Sequence, residues 1–435
     1  MSPTFSSLSV RNYRIWFAGA FVSNVGTWMG RVAQDWLVLT QLTDHSATAL
    51  GTVTGLQFLP VLLLVPWAGM IADRYPKRAT IAVTQSILAV TSLLLGLLVI
   101  TGHCELWQVY ALATLQGAAS AVDNPARQSF VSEVVPAERL TNAVGLNSAS
   151  FNAARLVGPG VAGLLIALCS TGPVILLNTA SFVFVLLSLA AMRGRELHPA
   201  PQRRGSGAIR EGFAYVRARP DIKLVMGLIF VLGTFGMNFQ VTTALMATTV
   251  FHQGSGEYGL LSSIMAIGSL AAALMAARRE RPRLRTLLGA LAGFVVATTL
   301  AALAPTYELF AVALVPCGLT ALTAMTTANA MVQLRVSPQM RGRVMALYMA
   351  IFMGGTPIGA PVIGWVGERF GARATLLVGA VAVALALAAA WAWLAQGQNV
   401  TVTYRADRRP HLRVSTAPAS VPDREVTETM PEPAR

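Results

Sequence analysis

Long apolar runs alternate with short polar segments along most of the chain. Each run approaches the ~20 residues that an α-helix needs to cross the hydrocarbon core of a bilayer. Twelve such runs are predicted, near residues 15–40, 47–71, 79–101, 107–132, 142–168, 173–192, 222–250, 257–277, 286–304, 308–333, 343–367 and 374–395. The pattern therefore predicts an all-α polytopic membrane protein with twelve transmembrane helices.

The polar segments between these runs differ in charge. Basic residues concentrate in alternate segments, which contain Arg11 and Arg14, Arg74 to Arg78, Arg193 to Lys223, Arg278 to Arg285, and Arg341 with Arg343. Because cytoplasmic loops carry an excess of Lys and Arg, this bias predicts that both termini are cytoplasmic, in agreement with an even number of spans. Arg369 and Arg373 are the exception, since they fall in a loop predicted to lie outside.

The composition narrows the class of protein further. The 435 residues are 54% hydrophobic and only 12% charged, and the formal net charge is +14. Because the basic residues are divided among alternate loops, they do not form the continuous stripe that binds nucleic acid. Cys104, Cys169 and Cys317 are too few and too scattered for a disulfide framework or a metal site, so free thiols are expected. We find no cleavable signal sequence, and we expect the first span to act as an uncleaved insertion signal.

A polar, Arg-rich segment divides the runs into two groups of six. The predicted organisation is an N-terminal six-helix bundle over residues 1–192, a basic cytoplasmic linker over 193–221, a C-terminal six-helix bundle over 222–396, and a polar, Pro-rich tail over 397–435 that is expected to be disordered in the cytoplasm. In the linker, Phe213 and Val216 alternate with basic residues between Glu211 and Arg219, which favours an amphipathic helix on an anionic membrane surface. A solvated connector is the alternative.

The two groups of runs also resemble each other. An ungapped offset of 202 residues aligns Pro136 with Pro338, Arg139 with Arg341, and Gly158-Pro159 with Ala360-Pro361. Each match falls at the same place in its half, either in the loop after the fourth run or within the fifth. Two similar bundles can rock about a central site, as alternating-access transport requires.

The segment GMIADRYPKR, residues 69–78, follows the second run. It resembles the loop between spans two and three of the major facilitator superfamily, G-x-x-x-D-R-x-G-R-R/K, with Pro76 in place of the second glycine. The matching residues are Gly69, Asp73, Arg74, Lys77 and Arg78. The resemblance implies a latch that stabilises the outward-facing state and pairs its basic end with a carboxylate of span four, for which Asp123 is the candidate. Charges that only orient the loop are the alternative.

Span five contains AARLVGPGVAG, residues 153–163. Its G-x-G-x-x-G is not a dinucleotide fingerprint, because no strand precedes it and no acidic residue lies about 20 positions further on. Gly158, Pro159, Gly160 and Gly163 instead resemble the span-five G-P-x-x-G-G signature of antiporters in the superfamily, with Ala162 at one glycine position. The resemblance implies export, whereas small residues that only allow close helix packing are the alternative.

Span four contains QGAAS, residues 116–120, which resembles the pattern R-x-x-Q-G-x-G of the same superfamily. Ala113 occupies the position of the arginine that the family links to proton coupling. This departure puts the usual coupling arrangement in doubt and directs attention to the charges in span one.

Asn24, Trp28, Arg31 and Asp35 recur at helical spacing in span one, so they share one helix face. Charges that face lipid cost ~2.5 to 3.5 kcal/mol each, so this face is expected to point into the protein or a wet cavity. Asp35 is the candidate proton carrier, and Arg31 one turn away would favour its ionised form until substrate or a proton arrives. A permanent Arg31–Asp35 ion pair, or an Asp35 in external water, is the alternative.

Arg155 in span five is the other deep charge, and it either binds an anionic group of the substrate or pairs with Asp35. Amide, hydroxyl and aromatic residues elsewhere in the spans predict a cavity for a bulky amphipathic ligand, although they could equally form helix contacts. The candidates for this lining, beside Asn24 and Trp28, are Trp16, Phe17, Gln57, Phe58, Asn147, Asn152, Phe235, Asn238, Gln240, Thr323, Thr327 and Asn329.

Taken together, residues 11 to about 396 resemble the branch of the major facilitator superfamily that includes the enterobactin exporter and drug:proton antiporters. The resemblance implies proton-driven export of a siderophore or drug-like molecule across a bacterial cytoplasmic membrane. No cofactor beyond the proton gradient, no metal and no nucleic-acid partner is expected, and the protein is expected to be a monomer surrounded by lipid.

Three other functions remain open at this point. An importer on the same fold would use similar residues in the opposite direction. A membrane-embedded enzyme is disfavoured because the chain contains no H-E-x-x-H and no G-x-S-x-G motif. A lipid-handling or sensory protein built on the repeat would show no substrate-dependent proton flux.

Overall fold

The computed structural model describes residues 3–197, 208–279, 282–337, 340–397, 400–404 and 412–416. A short 3-10 segment, Pro3–Ser9, precedes six long helices. These helices are α1 (Arg11–Leu37), which a π-helical turn extends over Val38–Leu42, α2 (Ala47–Arg74), α3 (Lys77–Ile100), α4 (Leu106–Val134), α5 (Leu140–Cys169) and α6 (Thr171–Ala191).

A shorter helix, α7 (Ala208–Arg217), leads into the second half. The seventh span is interrupted. A π-helical turn at Leu232–Gly236 separates α8 (Pro220–Val231) from α9 (Phe239–Leu245), and a second π-helical turn at Met246–Val250 follows α9. Five continuous helices complete the half, namely α10 (Ser255–Ala277), α11 (Leu284–Leu303), α12 (Tyr307–Arg335), α13 (Arg341–Phe370) and α14 (Ala372–Gly397).

All twelve predicted runs correspond to helical segments of the described chain, which confirms the predicted fold class. Ten helices are long and apolar enough to cross a membrane by length and composition. The other two, α1 and α4, are long enough but carry polar and charged side chains that face the protein interior, including Asp35 and Asp123. Their polarity marks them as the helices that supply the charged groups described below.

The N-terminal bundle has an aromatic core at the end that carries the N-terminus. Tyr13, Trp16 and Phe130 are almost fully buried, and the rings of Trp16 and Phe130 meet edge to face with centroids 5.0 Å apart. The Tyr13 hydroxyl donates to the Ala143 carbonyl at 2.8 Å, which fixes α1 against α5. Trp16 therefore packs in the core, and the prediction that it lines a substrate cavity is wrong.

Two helix pairs form the most extensive contacts between the halves, and we name them the α2/α13 seam and the α5/α10 seam. In the α2/α13 seam, Gly51 packs against the Ala360 carbonyl, and in the α5/α10 seam, Gly163 packs against the Ser255 carbonyl. A side chain at either glycine would collide with backbone, so the seams depend on small residues. We call the end of the bundles that carries the α1–α2 loop the far end, and the end that carries α7 the linker end. Both contacts lie toward the far end.

The predicted internal repeat aligns helices that occupy equivalent places. α5 and α13 are each 30 residues long, and each contributes one side of a seam. Pro159 and Pro361, which the repeat aligns, both lie inside these helices next to a seam glycine, Gly259 and Gly55 respectively. Pro338 lies outside the described residues.

The linker contains the predicted helix, which is α7. Its Val216 side chain is buried, its Phe213 side chain is exposed, and Glu211 forms an ion pair with Arg343 at the start of α13. One face of this amphipathic helix therefore contacts the C-terminal bundle. Residues from Leu387 onward form a separate unit, in which strands β1 (Val400–Tyr404) and β2 (Leu412–Thr416) pair antiparallel. The rest of the tail lies outside the described residues, and its disorder stays a prediction.

Candidate functional site

A cavity of about 500 Å³ lies between the two bundles. Its walls come from both halves of the chain, including α1, α2, α4 and α5 on one side and α9, α10, α12 and α13 on the other. Toward the linker end it reaches Asn124 and Arg127 on α4. The seams join the bundles at the opposite end, so the cavity lies where a substrate site for alternating access is expected.

Most of the predicted site residues that lie deep in the helices meet in this cavity. The lining contains Asn24, Trp28, Arg31, Asp35, Gln57, Phe58, Asp123, Arg155, Pro159, Asn238 and Gln240. Eight predicted residues are not part of it, namely Trp16, Phe17, Asn147, Asn152, Phe235, Thr323, Thr327 and Asn329. Thr323 and Thr327 are buried within the C-terminal bundle, and the amides of Asn152 and Asn329 make hydrogen bonds within their own helices. Helical periodicity alone did not distinguish these contacts from cavity lining.

Asp35 of the N-terminal bundle accepts hydrogen bonds from two residues of the C-terminal bundle. Its side chain belongs to α1 and is 1% exposed. Its Oδ2 atom accepts a hydrogen bond from Gln240 Nε2 at 2.6 Å and another from the Tyr258 hydroxyl at 3.0 Å. The Tyr258 ring also stacks on Trp36, with centroids 6.1 Å apart. We name Asp35, Gln240 and Tyr258 the clasp, because the carboxylate of one bundle holds two donors of the other.

The clasp replaces the partner that the sequence suggested for Asp35. Among the described residues, no ion pair within 4.0 Å joins Asp35 to Arg31 or to Arg155. The guanidinium carbon of Arg31 instead lies 5.1 Å from the centroid of the Trp28 ring and 5.8 Å from that of Phe58. The alternative of a permanent Arg31–Asp35 ion pair is therefore not met in this conformation, and Asp35 is not in bulk water either, while the role of Arg31 in proton binding stays a prediction.

Arg155 approaches the same aromatic residue from α5. Its guanidinium carbon lies 5.7 Å from the Trp28 centroid, and Trp28 also meets Phe151 edge to face at 6.1 Å. Trp28 is thus the aromatic centre of the cavity, with two guanidinium groups beside it. Such contacts are stabilising and leave the N–H donors at the edge of the guanidinium group free for a ligand.

The second cavity carboxylate, Asp123, bonds within its own bundle. It accepts hydrogen bonds from Thr84 Oγ1 at 2.6 Å and Gln85 Nε2 at 3.0 Å, and Arg127 lies 3.8 Å away. The basic loop pairs with a different carboxylate, since Lys77 Nζ lies 2.7 Å from Glu133 Oε1. Asp123 was the wrong partner because it lies ten residues before Glu133 on α4, about 15 Å along the helix axis.

The other latch residues occupy the same end of the bundle. Arg78 donates to the Leu189 carbonyl at 2.6 Å, which connects α3 to α6, and the Arg74 side chain is exposed. Gly69 and Asp73 belong to α2, but the surroundings of Gly69 and the side chain of Asp73 are outside the described part of the structure. The role of this loop as a latch for another conformation stays a prediction.

The span-five motif contributes to packing at three places. An added Cβ at Gly158 would lie 2.7 Å from Trp28 Cβ, so this glycine lets α1 bring Trp28 close to α5. Gly160 donates its N–H to Ser263 Oγ at 3.1 Å, and the Gly163 carbonyl accepts from Ser255 Oγ at 3.2 Å. The motif therefore places the cavity aromatic and forms the α5/α10 seam.

Among the lining residues that the sequence analysis did not predict, three contact the residues described above: Tyr258, Arg127 and Phe151. Tyr258 carries a hydroxyl within a predicted span, on the same helix face as Ser255 and Ser262, and Arg127 is a charge inside another predicted span. Both were visible as polar groups in hydrophobic surroundings. Phe151 has no such signal, because an aromatic residue in a transmembrane helix is equally suited to lipid.

Comparison with known proteins identifies the family. A family model described as a transmembrane secretion effector matches residues 2–415. The chain belongs to this family of the major facilitator superfamily. It is 27% identical to the staphyloferrin A transporter of Staphylococcus aureus over 60% of this chain and 66% of the relative. It is 24% identical to macrolide efflux protein A of Streptococcus pyogenes, covering 86% of this chain and 93% of that protein.

The enterobactin exporter EntS of Escherichia coli is 25% identical over 82% of this chain and 85% of its own length. The match to the staphyloferrin A transporter is shorter than the match to the enterobactin exporter, since this chain spans just under two thirds of the length of the staphyloferrin A transporter. A crystal structure of a bacterial homologue of the human lysosomal transporter Spinster, inward-facing and unoccupied, superposes with a TM-score of 0.72. That match covers 90% of this chain and 97% of the other at 14% identity, and it shows the fold.

The chain is thus a multi-pass membrane protein of the major facilitator superfamily, and its named relatives and structural neighbours are transporters and not enzymes. The family assignment agrees with the resemblance in the loop after span two and in span five. Transporters of this fold hold their substrate between the two bundles, which is where the cavity of this chain lies.

Proposed function

We propose that this transporter is a secondary active exporter that exchanges a small amphipathic molecule for protons by alternating access. It would act as a monomer in a bacterial cytoplasmic membrane, with both termini in the cytoplasm and the proton gradient as its energy source. The observation that carries the proposal is the clasp, in which a buried carboxylate of one bundle accepts hydrogen bonds from two residues of the other.

The clasp makes the contact between the bundles sensitive to one proton. An ionised Asp35 accepts strong, charge-assisted hydrogen bonds from Gln240 and Tyr258. A protonated Asp35 is a weaker acceptor and no longer needs two donors to offset a buried charge. Protonation therefore loosens the contact between the bundles near the far end, and loss of the proton restores it.

Exchange requires that the carrier changes conformation only with substrate or a proton bound, and the dependence of the clasp on the protonation of Asp35 meets this requirement. A carrier with neither substrate nor proton is held in the present conformation by the clasp, so it cannot return without cargo. A proton bound to Asp35 releases the clasp, and a substrate in the cavity can do so by competing for the same donors. The two ligands would then move in opposite directions through alternate conformations.

The charge of the loops and the position of the cavity support export as the direction of transport. The linker end carries the basic segments, which the positive-inside bias places in the cytoplasm. The seams lie at the far end, whereas the cavity reaches Arg127 toward the linker end. A substrate would therefore enter this conformation from the cytoplasm, as export requires. The named relatives, an enterobactin exporter and a macrolide efflux protein, support the same direction.

The test is proton-driven transport in inverted membrane vesicles, with a panel of siderophores and macrolides as cargo. The intact protein is expected to concentrate at least one of them inside the vesicles when the lumen is acidified. Asp35→Asn is expected to lower this accumulation about 5- to 150-fold, the usual range of a coupling free energy, while substrate binding remains.

Asp44→Asn is the matched control, because Asp44 is an exposed carboxylate just beyond the same helix. It is expected to transport like the intact protein. Uptake in the opposite direction would identify an importer, and normal pumping by Asp35→Asn would assign the proton to another group.

A further inference from the structure

Two guanidinium groups of the cavity have no counter-charge in ion-pair contact. Arg31 and Arg155 both lie within 6 Å of the Trp28 ring centroid, at 5.1 and 5.7 Å. In the described chain, neither takes part in an ion pair within 4.0 Å. The third cavity arginine, Arg127, differs because it lies 3.8 Å from Asp123 and over the ring of Trp16.

Such groups are costly to keep inside a membrane protein unless they serve a function. A guanidinium group has five N–H donors and no acceptor, so its complement is an oxygen acceptor. Trp28, Phe58 and Phe151 provide apolar faces next to these donors. The geometry fits a molecule that presents oxygen atoms on one side of a flat apolar body.

The charge of the lining excludes one class of cargo. The charged lining residues are three arginines and two aspartates, namely Arg31, Arg127, Arg155, Asp35 and Asp123. Asp123 already faces Arg127, and Asp35 is held by the clasp. A cation beside Trp28 would thus meet two guanidinium groups with no free carboxylate to offset them, and like charges at close range are strongly unfavourable.

The choice between a neutral and an anionic cargo rests on the proposed function. An anion beside Arg31 would draw that charge away from Asp35, one turn along α1, and would favour a proton on the carboxylate. Substrate and proton would then bind together, which suits transport in the same direction. Exchange requires that they bind in turn, and a neutral acceptor leaves the charge balance around Asp35 unchanged.

We propose that Arg31 and Arg155, flanking Trp28, form a selectivity site for an uncharged amphipathic molecule rich in oxygen acceptors, and that this site rejects cations. The two arginines donate to carbonyl, ester or hydroxyl oxygens while the aromatic residues contact the apolar face. Arg127 and Asp123 balance each other and take no part in this selection.

The test compares three isosteric probes that differ in charge: 2-naphthamide, 2-naphthoate and 2-naphthylmethylammonium. Saturable binding of each radiolabelled probe is measured on the full-length protein in lipid nanodiscs. The amide is expected to bind at least about tenfold more tightly than the ammonium compound. Arg155→Gln and Arg31→Gln are each expected to weaken amide binding about tenfold, because hydrogen bonds from charged donors are among the stronger ones.

Arg127→Gln is the matched control and is expected to leave the order of the probes unchanged. Equal or tighter binding of the ammonium compound, no saturable binding of any probe, or an unchanged preference in both Arg31→Gln and Arg155→Gln would overturn the selectivity site. These results come from the intact protein as well as the variants, so a variant that fails to fold does not remove the test.

The same probes separate this site from the exporter proposal. If the amide is preferred but moves with protons into vesicles of native orientation, the site stands and export by exchange is wrong. If proton-driven export operates but the ammonium compound is the better cargo, export stands and the selectivity site is wrong.

Discussion

The two halves of the cavity wall differ in charge although the two bundles share one architecture. Among the residues that the structure describes, every charged one that lines the cavity comes from the N-terminal bundle, on α1, α4 and α5. The C-terminal bundle contributes neutral groups such as Asn238, Gln240, Tyr258, Met325 and Phe352. The difference indicates a division of labour, in which one bundle carries the charge that changes and the other responds to it through hydrogen bonds.

This division explains why a single residue can connect proton binding to movement. Asp35 has two donors from the partner bundle, whereas the donors to Asp123 among the described residues, Thr84 and Gln85, belong to its own bundle, as does Arg127 at 3.8 Å. A change of charge on Asp35 therefore alters the contact between bundles. The same change on Asp123 would alter packing within one bundle.

Placing a charge in the neutral half is expected to have the largest effect. Gln240→Glu would set a second carboxylate against Asp35, and two carboxylates in contact cannot both stay ionised. One proton would remain bound at neutral pH, so we expect proton-driven export to fall by at least about tenfold. Accumulation in inverted vesicles at pH 7 and pH 9 measures the effect. Unchanged export at both pH values would show that Gln240 does not face the working carboxylate.

Removing both neutral donors is expected to uncouple transport without abolishing it. In Gln240→Leu combined with Tyr258→Phe, an ionised Asp35 no longer holds the C-terminal bundle, so the carrier without cargo can return. We expect substrate-independent proton leak to rise and the amount of substrate moved per proton to fall about 5- to 150-fold. Proton flux and substrate flux measured together in proteoliposomes decide this. A preserved ratio would count against the clasp.

Tyr258→Phe alone is expected to have a smaller effect in the same direction. It removes one hydrogen bond to a carboxylate, worth about 1.5–3 kcal/mol, and leaves the Gln240 bond in place. Leak in the same proteoliposomes is expected to lie between that of the intact protein and that of the double variant. Phe352→Leu is the matched control, since Phe352 is a neutral residue of the same wall whose side chain has no donor for Asp35, and its coupling ratio is expected to be normal.

Glu133→Gln is expected to have the smallest effect on coupling. The Lys77–Glu133 ion pair joins α3 to α4 inside the N-terminal bundle, and each side chain is about one tenth exposed. We expect a loss of about 3–5 kcal/mol in stability, because Lys77 is left charged and largely buried, seen as a lower thermal midpoint of the purified protein with a normal substrate-to-proton ratio. A large change in that ratio would mean that this pair also links the bundles in another conformation.

The sequence predicted the helices well because hydropathy depends on local composition. The start of α5 and the end of α10 lie within about two residues of the predicted bounds. The shared face of Asn24, Trp28, Arg31 and Asp35 was also predictable, since helical geometry fixes it, and all four residues line the cavity. The sequence therefore predicted correctly the features that depend on local pattern, which are the transmembrane helices and the residues that share one helix face.

Partners across the fold were the part that the sequence did not determine. Gln240 and Tyr258 lie more than 200 positions from Asp35, and only the packing of the bundles brings them together. The nearest cation in the chain, Arg31, was the natural but wrong partner. Glu133 was missed for a similar reason, because the register of α4 against the basic loop decides which carboxylate Lys77 reaches.

The central claim is that an ionised Asp35 holds the bundles together at the far end, and a distance between the bundles tests it most directly. Spin labels at His103→Cys and Pro305→Cys, two exposed far-end positions in different bundles, would report this distance after Cys104, Cys169 and Cys317 are replaced by Ser. We predict a short distance at neutral pH, a longer population in acid, and the longer population already at neutral pH in Asp35→Asn. Identical distances in the intact protein and Asp35→Asn at every pH would contradict the account.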